Sequence, residues 1–255
     1  MNIGRQWNDR LKIWAEQFPK HYYREYAPVS VSFFTTMEHL SFNEAVKGQY
    51  LPVPVGTKWG KKWEYGWFRG RIVIPEELEG KRVVFTLNTA EEMLVWVNGK
   101  EAGAIDKKHR FITLSRSASA GTVYEIYAEC YAGHGARNEG AGPVAWGEES
   151  VPEPPEAQVT VGKSSFGLWN EELFQAAMDY LTLYSLVQKL PEKSLRTMKI
   201  VEGLKKFTYI ADFELPEPEL TDSVVEAGKL LKPLLECRNG STAPEYTVFG
   251  QSHLD

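Results

Sequence analysis

Two hydrophobic periods divide this chain. At its start Ile3, Trp7, Leu11, Trp14 and Phe18 follow at steps of four, four, three and four. That spacing puts them on one face of a helix, which Pro19 ends. The polar face mixes acids with bases, so the helix is expected to dock on the protein's own body and not on a membrane surface. His21 to Pro28 is aromatic and aperiodic, whereas Val29 to Phe33 alternates and predicts a strand. Short alternating runs separated by turn residues then follow at 66–74, 82–87, 92–97, 110–114 and 123–128. Asn98-Gly99 closes the third run and is a strong hairpin signal. Regularly spaced short strands of this kind predict a β-sandwich or jelly roll, with Phe85, Leu87, Leu94 and Trp96 in its interior.

Val151-Pro-Glu-Pro-Pro155 marks a linker or rigid crossing, and Gln158 to Val161 can add one more strand. Beyond it the period lengthens towards 3.6. Trp169, Leu173, Ala177, Tyr180, Tyr184 and Val187 predict a long helix stopped by Pro191. A second helix is expected over Ser194 to Phe207. Ser223-Val-Val-Glu226 has the form of a capping box that opens a third, kinked by Pro233 and ended at Asn239-Gly240. Tyr246 to Phe249, after a turn cluster, predicts a final strand. The domain boundaries expected from these changes are 1–49 for the amphipathic helix and lead-in strand, 50–162 for the sandwich, 163–243 for a helical connector and 244–255 for the last strand.

Composition narrows the function classes. The 255 residues are 43% hydrophobic and 25% charged, ordinary for a globular protein. A net charge of −5 gives no reason to expect nucleic acid or an anionic membrane as partner. No apolar run is long enough to span a bilayer, and no signal-peptide core is recognised at the N-terminus. Cys130 and Cys237 form no disulfide framework, so a cytoplasmic location is expected. Asn239-Gly240-Ser241 is formally a glycosylation acceptor but reads as a turn ending a helix.

Four groups of residues are candidates for chemistry. Trp59, Trp63, Tyr65, Trp67 and Phe68 could form a platform for sugar rings, although packing in a core is the preferred reading. Asp106 and His109 are spaced as a ligand pair but read as a surface loop. The glycine-rich stretch Gly133 to Pro143 lacks the Lys-Ser/Thr ending of a phosphate loop. It could edge a cleft, with His134 and Arg137 as its reactive members. Finally, His253 and Asp255 lie two apart after an apolar run. In extended backbone they project to the same side, where neutral imidazole and carboxylate suit zinc.

The last group belongs to a wider pattern. Gly250-Gln-Ser-His253-Leu-Asp255 resembles the first catalytic motif of glycoside hydrolase family 38, the α-mannosidases. That resemblance implies that His253 and Asp255 hold the catalytic zinc, or another divalent cation. Gln251 differs from the residue common in the family but stands at a position that is not a ligand. Trp67-Phe-Arg, Ile74-Pro75 and Val95-Trp-Val-Asn98-Gly99 are similar to the galactose-binding-like sandwich of many glycosidases, including the cytosolic and bacterial branch of this family. The fold implied is mainly β with α: a galactose-binding-like jelly roll, a helical connector, and the first strand of an α/β barrel that is otherwise missing. The activity implied is retaining exo-hydrolysis of terminal α-linked mannose from oligosaccharides. The nucleophile and acid are expected downstream of Asp255, so this chain alone is expected to be inactive and to bind zinc poorly. A homo-oligomer is compatible with the apolar helix faces. The competing expectation is a non-catalytic sandwich module that binds carbohydrate or a partner, with His253 and Asp255 incidental.

Overall fold

The computed structural model describes residues 5–135, 153–154, 156–237 and Thr247. It divides into two compact units, Tyr23–Asn170 and Met1–Tyr22 with Glu171–Asp255. The chain opens with helix α1 (Arg5–Gln17) and enters the sandwich unit at β1 (Tyr23–Pro28) and β2 (Val31–Thr36). A single turn α2 (Phe42–Ala45) leads to β3 (Leu51–Pro52), β4 (Lys58–Trp59), β5 (Tyr65–Val73) and β6 (Val83–Thr86). Then come β7 (Met93–Val97), β8 (Lys100–Ile105), β9 (Ile112–Ser115), β10 (Val123–Tyr131), β11 (Val159–Thr160) and β12 (Ser165–Trp169).

Among the described residues the strands form a four-stranded sheet in the order β1-β12-β6-β9, a six-stranded sheet in the order β3-β2-β5-β10-β7-β8, and the pair β11-β4. Every pairing is antiparallel. The two larger sheets contribute to one apolar core, with Val83, Phe85, Ile112 and Phe166 from the first and Val31, Phe68, Ile72, Met93, Val95 and Ile126 from the second. Each such side chain, fully buried, contributes about 1.5–3 kcal/mol relative to exposure. Period two sorts β5: Phe68 and Ile72 enter this core while Trp67 packs with Trp96 and Ala45 in a separate cluster. Gly66 is required on the core side, because a Cβ there would stand 2.7 Å from the Trp59 ring. The Asn98-Gly99 hairpin joins β7 to β8 as expected, both residues holding positive φ, 49° and 77°.

The structure corrects several expectations. The sandwich unit begins at Tyr23 and not near residue 50, because β1 pairs with β12 and β2 with β5. It ends at Asn170 and not at 162, since β12 is the inner strand between β1 and β6. Leu94 is 39% exposed, in contrast with buried Phe85 and Leu87. Its partner across the ladder is Glu129, whereas Met93 and Val95 pair with the buried Cys130 and Ala128, so β7 carries the opposite phase. Trp96 is buried, but in the cluster with Trp67 and not in the main core.

The other unit is helical and holds its own core. Helices α3 (Glu171–Val187), α4 (Leu195–Ile210), α5 (Glu219–Gly228) and the short α6 (Lys232–Leu235) join α1 in it. Phe18 is fully buried and meets the rings of Tyr180, Phe207 and Phe213 at 5.2–6.0 Å. The Tyr180 hydroxyl donates to the Leu11 carbonyl at 2.9 Å, and Arg10 donates to Thr208 Oγ1 at 2.9 Å. Docking of α1 within its own unit is therefore observed. Ser194 caps α4 by accepting from the Thr197 amide at 3.1 Å. The capping box expected at Ser223 is absent: α5 starts at Glu219, and Ser223 Oγ accepts from the Asp212 amide at 3.1 Å, tying in the preceding loop. Pro233 opens α6 in place of kinking α5. No described helix is long and apolar enough to cross a membrane.

Candidate functional site

Gly250, Gln251, His253 and Asp255 lie outside the described residues, as does Arg137. The donor set of the expected metal pair, one imidazole and one carboxylate, is chemically suited to zinc. Among the described residues no group of three or more His, Cys, Asp or Glu side chains is placed to hold a metal ion.

The five clustered aromatics separate by environment. Trp59, Trp67 and Phe68 are buried, and Trp59 Nε1 donates to the Thr89 carbonyl at 3.0 Å, so core packing accounts for all three. Trp63 is 44% exposed with φ at 66°, a left-handed backbone uncommon for a bulky residue. Its amide donates to the Gly133 carbonyl at 2.7 Å, and its ring meets His134 edge-on at 5.5 Å. Tyr65 opens β5, is half-buried and belongs to none of the buried apolar clusters.

That end of the sheet borders a concave hollow. The segment around α2 packs Phe34, Leu40, Phe42 and Tyr50 over Trp67 and Trp96. Further along the same face, Tyr65, Leu94, Glu129 and Tyr131 line a hollow of about 510 Å³ together with His39 and Asp106. Tyr65 and Tyr131 are direct ladder partners, their rings stacked 4.6 Å apart. His39 stacks on Tyr65 at 5.2 Å. A second hollow of about 600 Å³ also touches Tyr131, and Asn88, Glu92, Lys107, Arg110 and Gln158 line it.

The titratable groups here have distinct environments. Glu129 has a side chain only 15% exposed, and burial raises its pKa against the lowering influence of His39. His39 Nε2 lies 3.3 Å from Glu129 Oε1, yet that oxygen accepts no hydrogen bond. Proximity of the two groups does not require an aligned donor. Asp106 is held down at about 2 by the His109 ring and by the His109 and Lys108 amides. His109 Nδ1 lies 2.9 Å from Asp106 Oδ2, so the pair is a self-satisfied surface turn. Cys130 lies buried beneath the same sheet, its thiol pushed up to about 12 by burial, and is no nucleophile. The arrangement is suited to holding a ligand by stacking and hydrogen bonds.

Sequence reasoning singled out Tyr65 and Asp106 but missed His39, Glu129 and Tyr131. The signal for two of them was present. The alternation that buries Ile126, Ala128 and Cys130 continues past the expected strand end, and it sends Tyr127, Glu129 and Tyr131 to the opposite face.

A family model described as the jelly roll domain of α-mannosidase matches residues 27–159. The chain is 26% identical over 231 residues to α-mannosidase 2C1 of Mus musculus, covering 89% of this chain and 21% of that protein. Similarity to α-mannosidase G of Dictyostelium discoideum is 22% over 239 residues, covering 89% of this chain and 20% of that protein. The chain thus spans about a fifth of the length of these relatives. Among solved structures, a β-glucuronidase from Ruminococcus gnavus aligns with 59% of this chain and 30% of its own, at 12% identity and a TM-score of 0.41. A likeness at that level decides nothing about function.

Proposed function

The chain belongs to the α-mannosidase jelly roll family, and from that premise we propose that it is the N-terminal part of a zinc-dependent, retaining exo-α-mannosidase of glycoside hydrolase family 38. The observation that carries this reading is the family match over 27–159, joined to similarity with α-mannosidases across 89% of the chain. The motif Gly250 to Asp255 adds the metal chemistry.

In this reading His253 contributes a neutral imidazole nitrogen and Asp255 a carboxylate oxygen to the zinc. When bound, the zinc supplies a Lewis acid for hydroxyls of the terminal mannose of an oligosaccharide. A catalytic zinc takes about three protein ligands and leaves one position open. In this reading the remaining ligand is expected downstream of Asp255. So are the two carboxyl groups of a retaining glycosidase, held about 5 Å apart. The isolated chain then turns nothing over. A cytoplasmic enzyme is the reading that its two cysteines favour, one of them buried in the core.

Release of mannose from an aryl α-mannoside by the complete polypeptide tests this. Activity should disappear on chelation and return with zinc. Hydrolysis that is indifferent to chelation would remove the metal assignment, and absence of hydrolysis would remove the mannosidase reading.

A further inference from the structure

We propose that the open end of the six-stranded sheet around Tyr131 is a non-catalytic binding site for an uncharged pyranoside. Tyr131 is 46% exposed. One face of its ring rests on Tyr65, which is itself backed by His39. The ladder of three rings holds the half-exposed Tyr131 where both hollows meet. The C–H face of a sugar ring is apolar, and a rigid aromatic plate of this kind gives it contact area at low entropic cost.

The polar surroundings match the hydroxyls of the same ring. Glu129 lines the smaller hollow with its side chain 15% exposed, and its Oε1 is buried against His39 Nε2 at 3.3 Å, so the other carboxylate oxygen is the one a ligand hydroxyl can meet. A hydroxyl donating to that carboxylate makes a charge-assisted hydrogen bond, stronger than one between neutral groups. Asn88, Gln158, Glu92 and Arg110 line the other side of Tyr131 and can donate to or accept from further hydroxyls. Leu94 and Ala104 add an apolar strip to the first hollow. Hollows of about 510 and 600 Å³ fall within the usual range for small-molecule sites, and their meeting at one ring suits a disaccharide that passes over it.

Charge selects the ligand class. In the larger hollow Glu91 and Glu92 are balanced by Lys107 and Arg110, with Lys107 paired to Glu91 at 2.9 Å. The smaller hollow carries Glu92, Asp106 and Glu129 against His39 alone. An acidic sugar would be repelled by the net negative charge there, whereas an uncharged one would not. Mannose as the particular sugar rests on the function proposed above; the uncharged pyranoside does not.

The test titrates the 255-residue chain with α-mannobiose, with maltose, and with a disaccharide carrying glucuronate, following backbone amide shifts by NMR. The expected result is saturable binding of mannobiose that shifts Tyr65, Glu129 and Tyr131, with the glucuronate sugar weaker. Tyr131→Ala should weaken binding about tenfold while the chain stays folded with a cooperative thermal melt. Glu129→Gln should weaken it less, because the amide oxygen still accepts. Maltose binding at these residues in place of mannobiose would uphold the site and count against the mannosidase reading. No saturable binding of either neutral sugar, or equal binding in Tyr131→Ala, overturns the site, and hydrolysis by the complete enzyme would then still stand apart from it.

Discussion

Tyr65 and Tyr131 face each other across β5 and β10, their rings 4.6 Å apart and 29° from parallel. Neither ring belongs to the buried cluster of Trp67 and Trp96, and both line the hollow of about 510 Å³. A stacked pair of this kind is worth about 0.5–1.5 kcal/mol beyond area burial. Tyr131→Ala loses that stacking and the burial of a half-exposed ring, so it should lower stability by about 1–2.5 kcal/mol in urea denaturation. A loss several times larger would mean that Tyr131 is part of the core and not of a surface site.

The phase of β7 makes a sharp comparison. Val95 is fully buried opposite Ala128, and Leu94 is 39% exposed opposite Glu129. Val95→Ala should cost about 2 kcal/mol, whereas Leu94→Ala should cost less than about 1 kcal/mol. Chemical denaturation of the two variants checks this. The reverse order would restore the phase read from sequence.

Asp106 should titrate far below its ordinary value of 3.8, at about 2, chiefly because the His109 ring bonds to it and secondly because two amides do. A carboxylate depressed in the fold stabilises it above the unfolded pKa and loses that contribution as pH falls through the folded one. The loop should therefore keep this support above about pH 4 and lose it towards pH 2. His109→Ala should raise the Asp106 pKa partway to 3.8, since the Lys108 and His109 amides remain. Carboxyl carbon shifts followed by NMR give the answer, and an unmoved titration would deny the ring its role.

The two thiols should react in sequence. Cys237 is exposed, while Cys130 is fully buried with its thiol pushed up to about 12. At pH 8 the native chain should modify one thiol rapidly with a disulfide reagent and the second only after unfolding. Rapid reaction of both would show that the core around Cys130 opens.

Much of the fold was legible because it is written in local chemistry. Asn98-Gly99 can hold the two positive φ angles of its turn, and Phe85 and Leu87 alternate cleanly into the core. Pro19 and Pro191 bracket helices whose apolar faces form the second core. What failed depended on partners distant in sequence. Ser165 to Trp169 gives a weak strand signal because Gly167 separates Phe166 and Leu168, the two side chains it sends to the core, and Gly167 packs against the Arg24 backbone, where a Cβ would stand 2.1 Å from the carbonyl oxygen. Leu94 and Met93 are equally apolar, so only the pairing with β10 fixes which one faces in. The groove was half legible: Tyr65 stood out among aromatics, but His39 reaches it from a loop some 26 positions earlier, a proximity that no local pattern encodes.

The central claim is that His253 and Asp255 serve a mannosidase zinc site in the complete protein. Zinc content and mannose release measured together on wild type and His253→Ala test it most directly. The account predicts that the variant loses bound zinc and mannose release together, with the thermal melt of the sandwich unchanged. A well-folded His253→Ala protein that keeps its zinc and still releases mannose would contradict it.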